Sequence, residues 1–91
     1  MKIATDSIEL GNAREVKKAV LAAVDAGDTV IDLSGVTRAQ SVALSVLLSA
    51  LRRAQNRGQT LEIRAIPQSL KSLAHVYGVS ALLGVEEAVS R

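Results

Sequence analysis

The stretch from Thr29 to Gly58 constrains the fold more than any other part of the chain. Thr29-Val30-Ile31-Asp32-Leu33 is β-branched and apolar, the composition of a strand covered on both faces. Ser34-Gly35 breaks that run with turn chemistry. From Val42 to Arg57 the period changes. Leu44, Leu47, Leu48 and Leu51 recur at helical steps and predict one apolar stripe. Arg52, Arg53, Gln55, Asn56 and Arg57 fill the last turns, where cations meet the negative end of the helix dipole. Gly58 then supplies a left-handed stop.

The same grammar repeats on either side. Ile8-Glu9-Leu10 alternates as a short strand, with Lys2 to Thr5 as another strand or its start, and Gly11-Asn12 breaks it. Asn12 reads as an N-cap with Glu15 completing a capping box. A first helix is expected from Ala13 to Ala26, with Val16, Val20, Ala23 and Val24 inward and Gly27 as its stop. Thr60 to Ile66 alternates as a further strand, ended by Pro67. A third helix is expected from Gln68 or Ser69, with Leu70, Leu73, Ala74 and Tyr77 inward, closed by Gly78. Val79 to Leu83 reads as a short apolar strand or helical turn, and Glu86 to Arg91 is weakly determined.

Alternating strands and helices predict an α/β fold: one domain over residues 1–91, with a mixed β-sheet of about four strands and helices packed against it. Right-handed crossovers gather the loops after the strands at one sheet edge. Open α/β sheets place their working residues there. Asp32, Ser34 to Gln40, and Ser41 all fall on that edge in this reading.

Composition narrows the function. Of the residues, 48% are hydrophobic, yet there is one tyrosine and no phenylalanine or tryptophan, so stacking on nucleic acid bases is disfavoured. The absence of cysteine removes disulfides and thiolate metal sites and fits a reducing compartment. No apolar run reaches the ~20 residues that span a bilayer, and no apolar signal core follows Met1. The expectation is a complete cytosolic chain without membrane insertion. The formal net charge is only +2. Arg38, Arg52, Arg53 and Arg57 could form a patch for an acidic partner or anionic headgroups; the plainer reading is a solvated helix face. The chain has no dense basic stripe or module that would take nucleic acid.

Enzyme signatures are scarce. The glycines stand singly as stops and form no phosphate loop. His75 lacks the companions of a metal site and reads as structural or superficial. Asp32 at a strand end serves turn formation more readily than catalysis. No nucleophile elbow frames Ser41. A small hydrolase using Ser41 is the least favoured class, and neither cofactor nor metal is expected. Ser41 itself reads three ways: a helix cap, a contact for a partner, or a phosphorylation target. Capping is the plainest of the three. Ser41, Ser45 and Ser49 share one helix side, which could admit the close approach of another surface or be an ordinary boundary to solvent. Arg38, Gln40, Ser41, Val42 and Ser45 are the expected partner-contact residues.

The segment Asp32-Leu33-Ser34-Gly35-Val36-Thr37, then Ser41 and the leucine-rich helix to Arg53, resembles the STAS domain (sulfate transporter and anti-sigma factor antagonist). The resemblance continues through Gly58, the strand Leu61 to Ile66, and Ser69-Leu70-Lys71-Ser72-Leu73 to Tyr77-Gly78-Val79, so that it is strongest over residues 13–83. In the antagonist branch the loop usually reads Asp-Ser-Ser-Gly-Leu, and its first serine is phosphorylated by an anti-sigma factor kinase. Here the loop is Gln40-Ser41-Val42-Ala43-Leu44, so Ser41 matches that serine while Gln40, Val42 and Ala43 depart.

The run Ser41-Val42-Ala43-Leu44-Ser45-Val46-Leu47-Leu48 is closer to MlaB-like proteins, STAS subunits of the ABC transporter that maintains outer-membrane lipid asymmetry. That resemblance implies a non-catalytic subunit that binds and supports the transporter's ATPase. It would be cytoplasmic and held at the inner membrane through its partner. The antagonist reading implies a kinase partner and phosphorylation of Ser41. The usual N-terminal opening is shortened here to Ile8-Glu9-Leu10-Gly11-Asn12, which leaves open a weak homodimer through an exposed strand.

Overall fold

The computed structural model describes residues 1–78. Val79 to Leu83 and Glu86 to Arg91 therefore lie outside the described residues. In chain order the elements are β1 (Ser7–Ile8), α1 (Ala13–Asp25), β2 (Val30–Asp32), β3 (Arg38–Ala39), α2 (Val42–Asn56), β4 (Glu62–Arg64) and α3 (Gln68–Val76). The α/β reading holds, with three helices and four short strands among the described residues.

The strands form two parallel pairs. β1 lies beside β3, and β2 lies beside β4 with Ile31 opposite Ile63. The N-terminal residues run along the other side of β2: Lys2 bridges to Asp32, the Ile3 N–H donates to the Asp32 carbonyl at 2.9 Å, and the Asp32 N–H donates to the Met1 carbonyl at 2.7 Å. Among the described residues every ladder is parallel, where the sequence predicts a mixed sheet. The reason is the direction of the first residues. Residues 1–8 run in the same direction as β2 and β3 and supply no hairpin, which is the connection that makes an antiparallel pair. Leu10 does not extend β1; it is 79% exposed in the loop beyond it.

Between β2 and β3 the chain turns once. The Val36 N–H donates to the Leu33 carbonyl at 2.9 Å, and Asp32 Oδ1 accepts the Ser34 N–H at 2.8 Å. This aspartate-centred turn ends β2 and directs β3 toward the start of α2.

Helix α1 buries Val16, Val20 and Val24, as its spacing predicts. Helix α2 buries Ala43, Leu44, Val46, Leu47, Ala50 and Ala54. Leu48 and Leu51 are only half-buried, so the inward face of α2 is rotated toward its alanines relative to the leucine stripe. These helices pack on each other and over the fully buried Ile31 and Leu33. Arg53 and Asp25 clip the helices together at the surface, 2.6 Å apart. In α3 only Leu70 and Ala74 are buried; Tyr77, expected inward, is 58% exposed at the C-cap.

Both long helices end as their glycines predict. Gly58 has φ +69°, its N–H donates to the Gln55 carbonyl at 3.0 Å, and the Gln59 N–H donates to the Ala54 carbonyl at 2.9 Å. This pair of bonds satisfies carbonyls that the helix leaves unpaired at its end.

The helix starts differ from expectation. Asn12 makes no side-chain cap bond to α1. Its Oδ1 accepts the Glu9 N–H at 2.8 Å and its Nδ2 donates to the Ser7 carbonyl at 2.8 Å. The side chain thus ties the loop behind it to β1, and no capping box with Glu15 forms.

Candidate functional site

Ser41 occupies the N-cap of α2, but its backbone is already helical, with φ −59° and ψ −24°. A capping serine has extended backbone angles that swing its hydroxyl toward the next free N–H groups. Here the N–H groups that such a hydroxyl would reach, those of the second and third helical residues, are satisfied otherwise. The Ala43 N–H donates to the Gln40 carbonyl and the Leu44 N–H to the Ser41 carbonyl, each at 2.9 Å. The Ser41 side chain makes no cap hydrogen bond and is exposed. Capping, the plainest reading of the sequence, is therefore not the role of this hydroxyl. The N–H groups of Ser41 and Val42 also have no acceptor among the described residues.

The surroundings are held by backbone bonds across the sheet edge. The Gln40 N–H donates to the Ile8 carbonyl at 2.9 Å, and the Thr37 and Arg38 N–H groups donate to the Asp6 carbonyl at 2.9 and 3.2 Å. Gln40 Oε1 accepts the Leu10 N–H at 3.2 Å, tying the first loop to the loop before α2. Ser45 Oγ donates to the Val42 carbonyl at 2.9 Å, so its hydroxyl is committed to its own helix.

Of the residues expected at a contact surface, Arg38, Gln40, Ser41 and Ser45 are exposed around the beginning of α2. Arg38 makes no salt bridge among the described residues. Val42 differs: it is half-buried and packs against the core, so it anchors the surface from below. Leu10 was not expected here. Alternation placed it in a strand, yet the Gly11-Asn12 turn directly after it is the signal that sets it at a loop tip.

The four arginines do not form one patch. Arg38 precedes α2, whereas Arg52, Arg53 and Arg57 lie at its far end, ~20 Å along a helix of this length. The Asp32 carboxyl is held below the usual carboxylate range, first by the Ser34 backbone N–H and then by the Ser34 hydroxyl. Burial opposes this, while Lys2 and Arg64 add to it. Asp32 is thus occupied in shaping the turn. His75 is exposed on α3. Neither side chain is hydrogen-bonded to Ser41, so the letters Ser, His and Asp are not assembled into a catalytic set.

Among the described residues, no group of three or more histidine, aspartate and glutamate side chains is placed to hold a metal ion. No helix among them is long and apolar enough to cross a membrane. A family model described as "Mlab, STAS domain" matches residues 4–84 of the chain. No curated protein matches it.

Proposed function

The chain belongs to the STAS domain family, and on that premise we propose that it is a non-catalytic subunit that binds and supports the ATPase of an ABC-type phospholipid transporter maintaining outer-membrane lipid asymmetry. The observation that carries this reading is the uncommitted Ser41 hydroxyl at the start of α2. The Mlab description of the matching family supports the choice of partner.

The contact works through simple chemistry. The Ser41 hydroxyl and the two free N–H groups beside it are donors, so they receive a carbonyl or carboxylate of the partner. Arg38 adds a positive charge that favours an acidic partner surface and speeds the encounter. Gln40 fixes the loop, and Leu10 supplies apolar area at its edge. A subunit that binds only the competent form of an ATPase stabilises that form by mass action and needs no reaction of its own. The partner holds the subunit at the cytoplasmic face of the inner membrane.

The same free hydroxyl also favours a second reading, an antagonist of an anti-sigma factor kinase that is switched by phosphorylation of Ser41. A phosphate there adds about −1.5 to −2 charge units and blocks an acidic partner from the same spot. One experiment separates the two. The tagged chain is coexpressed with the transporter ATPase, and separately incubated with the kinase and ATP. The transporter reading expects a stable complex with raised ATP turnover and no phosphate on Ser41. Stoichiometric phosphorylation of Ser41, with no ATPase retained, would establish the antagonist reading instead.

A further inference from the structure

A recess of about 210 Å³ lies between the two long helices, lined by Lys17 and Leu21 of α1 and by Ser49, Arg52, Arg53 and Asn56 of α2. Its charge is unbalanced. Arg53 is taken by Asp25 at 2.6 Å. Lys17 and Arg52 are exposed and make no salt bridge among the described residues. The helices hold no other carboxylate for them: α2 contains none, and Glu15, the second on α1, lines a separate cavity with Met1 and Ile3. Two like charges thus converge on one recess, an arrangement that repels itself until an anion enters. Ser49 and Asn56 add a hydroxyl and an amide, which can donate hydrogen bonds to an anionic oxygen.

Position and shape favour a protein as the source of that anion. Ser41, Ser45, Ser49, Arg52 and Asn56 recur at steps of three and four, so they share one side of α2. The recess therefore continues the Ser41 surface, with Arg52 ~16 Å along the helix from Ser41. A membrane patch takes about four to eight clustered cations. The recess offers only Lys17 and Arg52, with directional donors beside them.

We propose that this recess receives an acidic peptide segment of a protein partner, with one carboxylate on the Arg52 guanidinium and another on the Lys17 ammonium. Ser49 and Asn56 donate to the same segment, and Leu21 gives it a small apolar floor. The proposal rests on the reading of the chain as a protein-binding subunit, and not on which partner it serves.

Titration of the nitrogen-15-labelled full chain with an N-acetylated, C-amidated hexaglutamate peptide, followed by its amide shifts, tests this. Saturable shifts are expected at Lys17, Leu21, Ser49, Arg52 and Asn56, and added salt should weaken them. Arg52→Glu and Lys17→Glu should each weaken the peptide by about tenfold, because each sets a like charge against it. Lys71→Glu makes the same change in net charge on α3, outside the recess, and should stay within about twofold of wild type. The spectrum of each variant also reports whether it is folded. The proposal is overturned if the wild-type shifts fail to saturate or scatter over the surface. It is also overturned if Lys71→Glu weakens the peptide as much as Arg52→Glu, or if inorganic phosphate binds the recess as tightly. Phosphatidylglycerol vesicles that displace the peptide would overturn it in favour of a membrane. Saturable peptide binding by a chain that never retains the ATPase would support the recess and contradict the transporter reading.

Discussion

The Leu10 backbone N–H donates to Gln40 Oε1 at 3.2 Å, across thirty residues of sequence. This bond fastens the loop after β1 to the loop that launches α2. It holds Leu10 beside the residues of the proposed contact surface.

Gln40→Ala removes that bond. The contact is exposed, so the global loss should be small, within the ~0.5–1.5 kcal/mol of an ordinary hydrogen bond. The local effect is more telling. Amide exchange at Leu10 should accelerate while exchange at Ile31, in the buried strand, stays near wild type at matched stability. Unchanged protection of Leu10 would mean that the bond does not hold the loop.

Asn12 is the second loop fastener, with bonds to Glu9 and Ser7 at 2.8 Å each. Asn12→Ala should cost about 1–3 kcal/mol in urea unfolding, because it leaves the partly buried Glu9 N–H without its acceptor and takes one of two donors from the Ser7 carbonyl. Asn12→Asp keeps the acceptor for Glu9 and loses the donor to Ser7, so its midpoint should fall between the other two. Equal midpoints for Ala and Asp variants would show that the acceptor side contributes nothing.

The elements were legible in the sequence because periodicity and glycine stops are local. Val16, Val20 and Val24 could be placed inward on α1, and Gly27 and Gly58 at the ends of their helices, without knowing what they pack on. Bond destinations were not legible. The Asn12 amide and the Ser41 hydroxyl have the chemistry of caps, but tertiary backbone geometry decides whether they are used so. At Asn12 the free groups of the preceding loop lie within reach. At Ser41 the turn through Gln40 satisfies the Ala43 N–H first. The inward face of α2 was half legible: Leu44 and Leu47 lie in the core, but Ala50 and Ala54 take the places that the stripe assigns to Leu48 and Leu51.

That difference is measurable on adjacent residues. Leu47 is fully buried, and Leu47→Ala should cost about 2–5 kcal/mol. Leu48 is half-buried beside a cavity, and Leu48→Ala should cost clearly less. Equal losses in urea unfolding would restore the simple leucine stripe.

Asp32 makes the fold sensitive to acid. Its carboxyl is held below the usual range by Ser34, so its pKa in the folded state lies below the unfolded value of ~3.9. A depressed carboxylate contributes stability that is fully present above the unfolded pKa and is lost as pH falls through the folded one. Asp32→Asn should therefore flatten the decline of the urea midpoint between about pH 5 and pH 2 relative to wild type. An identical acid slope in both proteins would contradict the turn's role.

The central claim is that the Ser41 hydroxyl serves a partner and not its own helix. Ser41→Ala tests it when unfolding and ATPase binding are measured on one preparation. The urea midpoint should stay within ~0.5 kcal/mol of wild type, as for a surface change that removes no internal bond. Affinity for the ATPase should fall by about tenfold, one lost hydrogen bond at an interface. A loss of ~1 kcal/mol or more in stability with undiminished ATPase binding would contradict the account, because it would make this hydroxyl a helix cap after all.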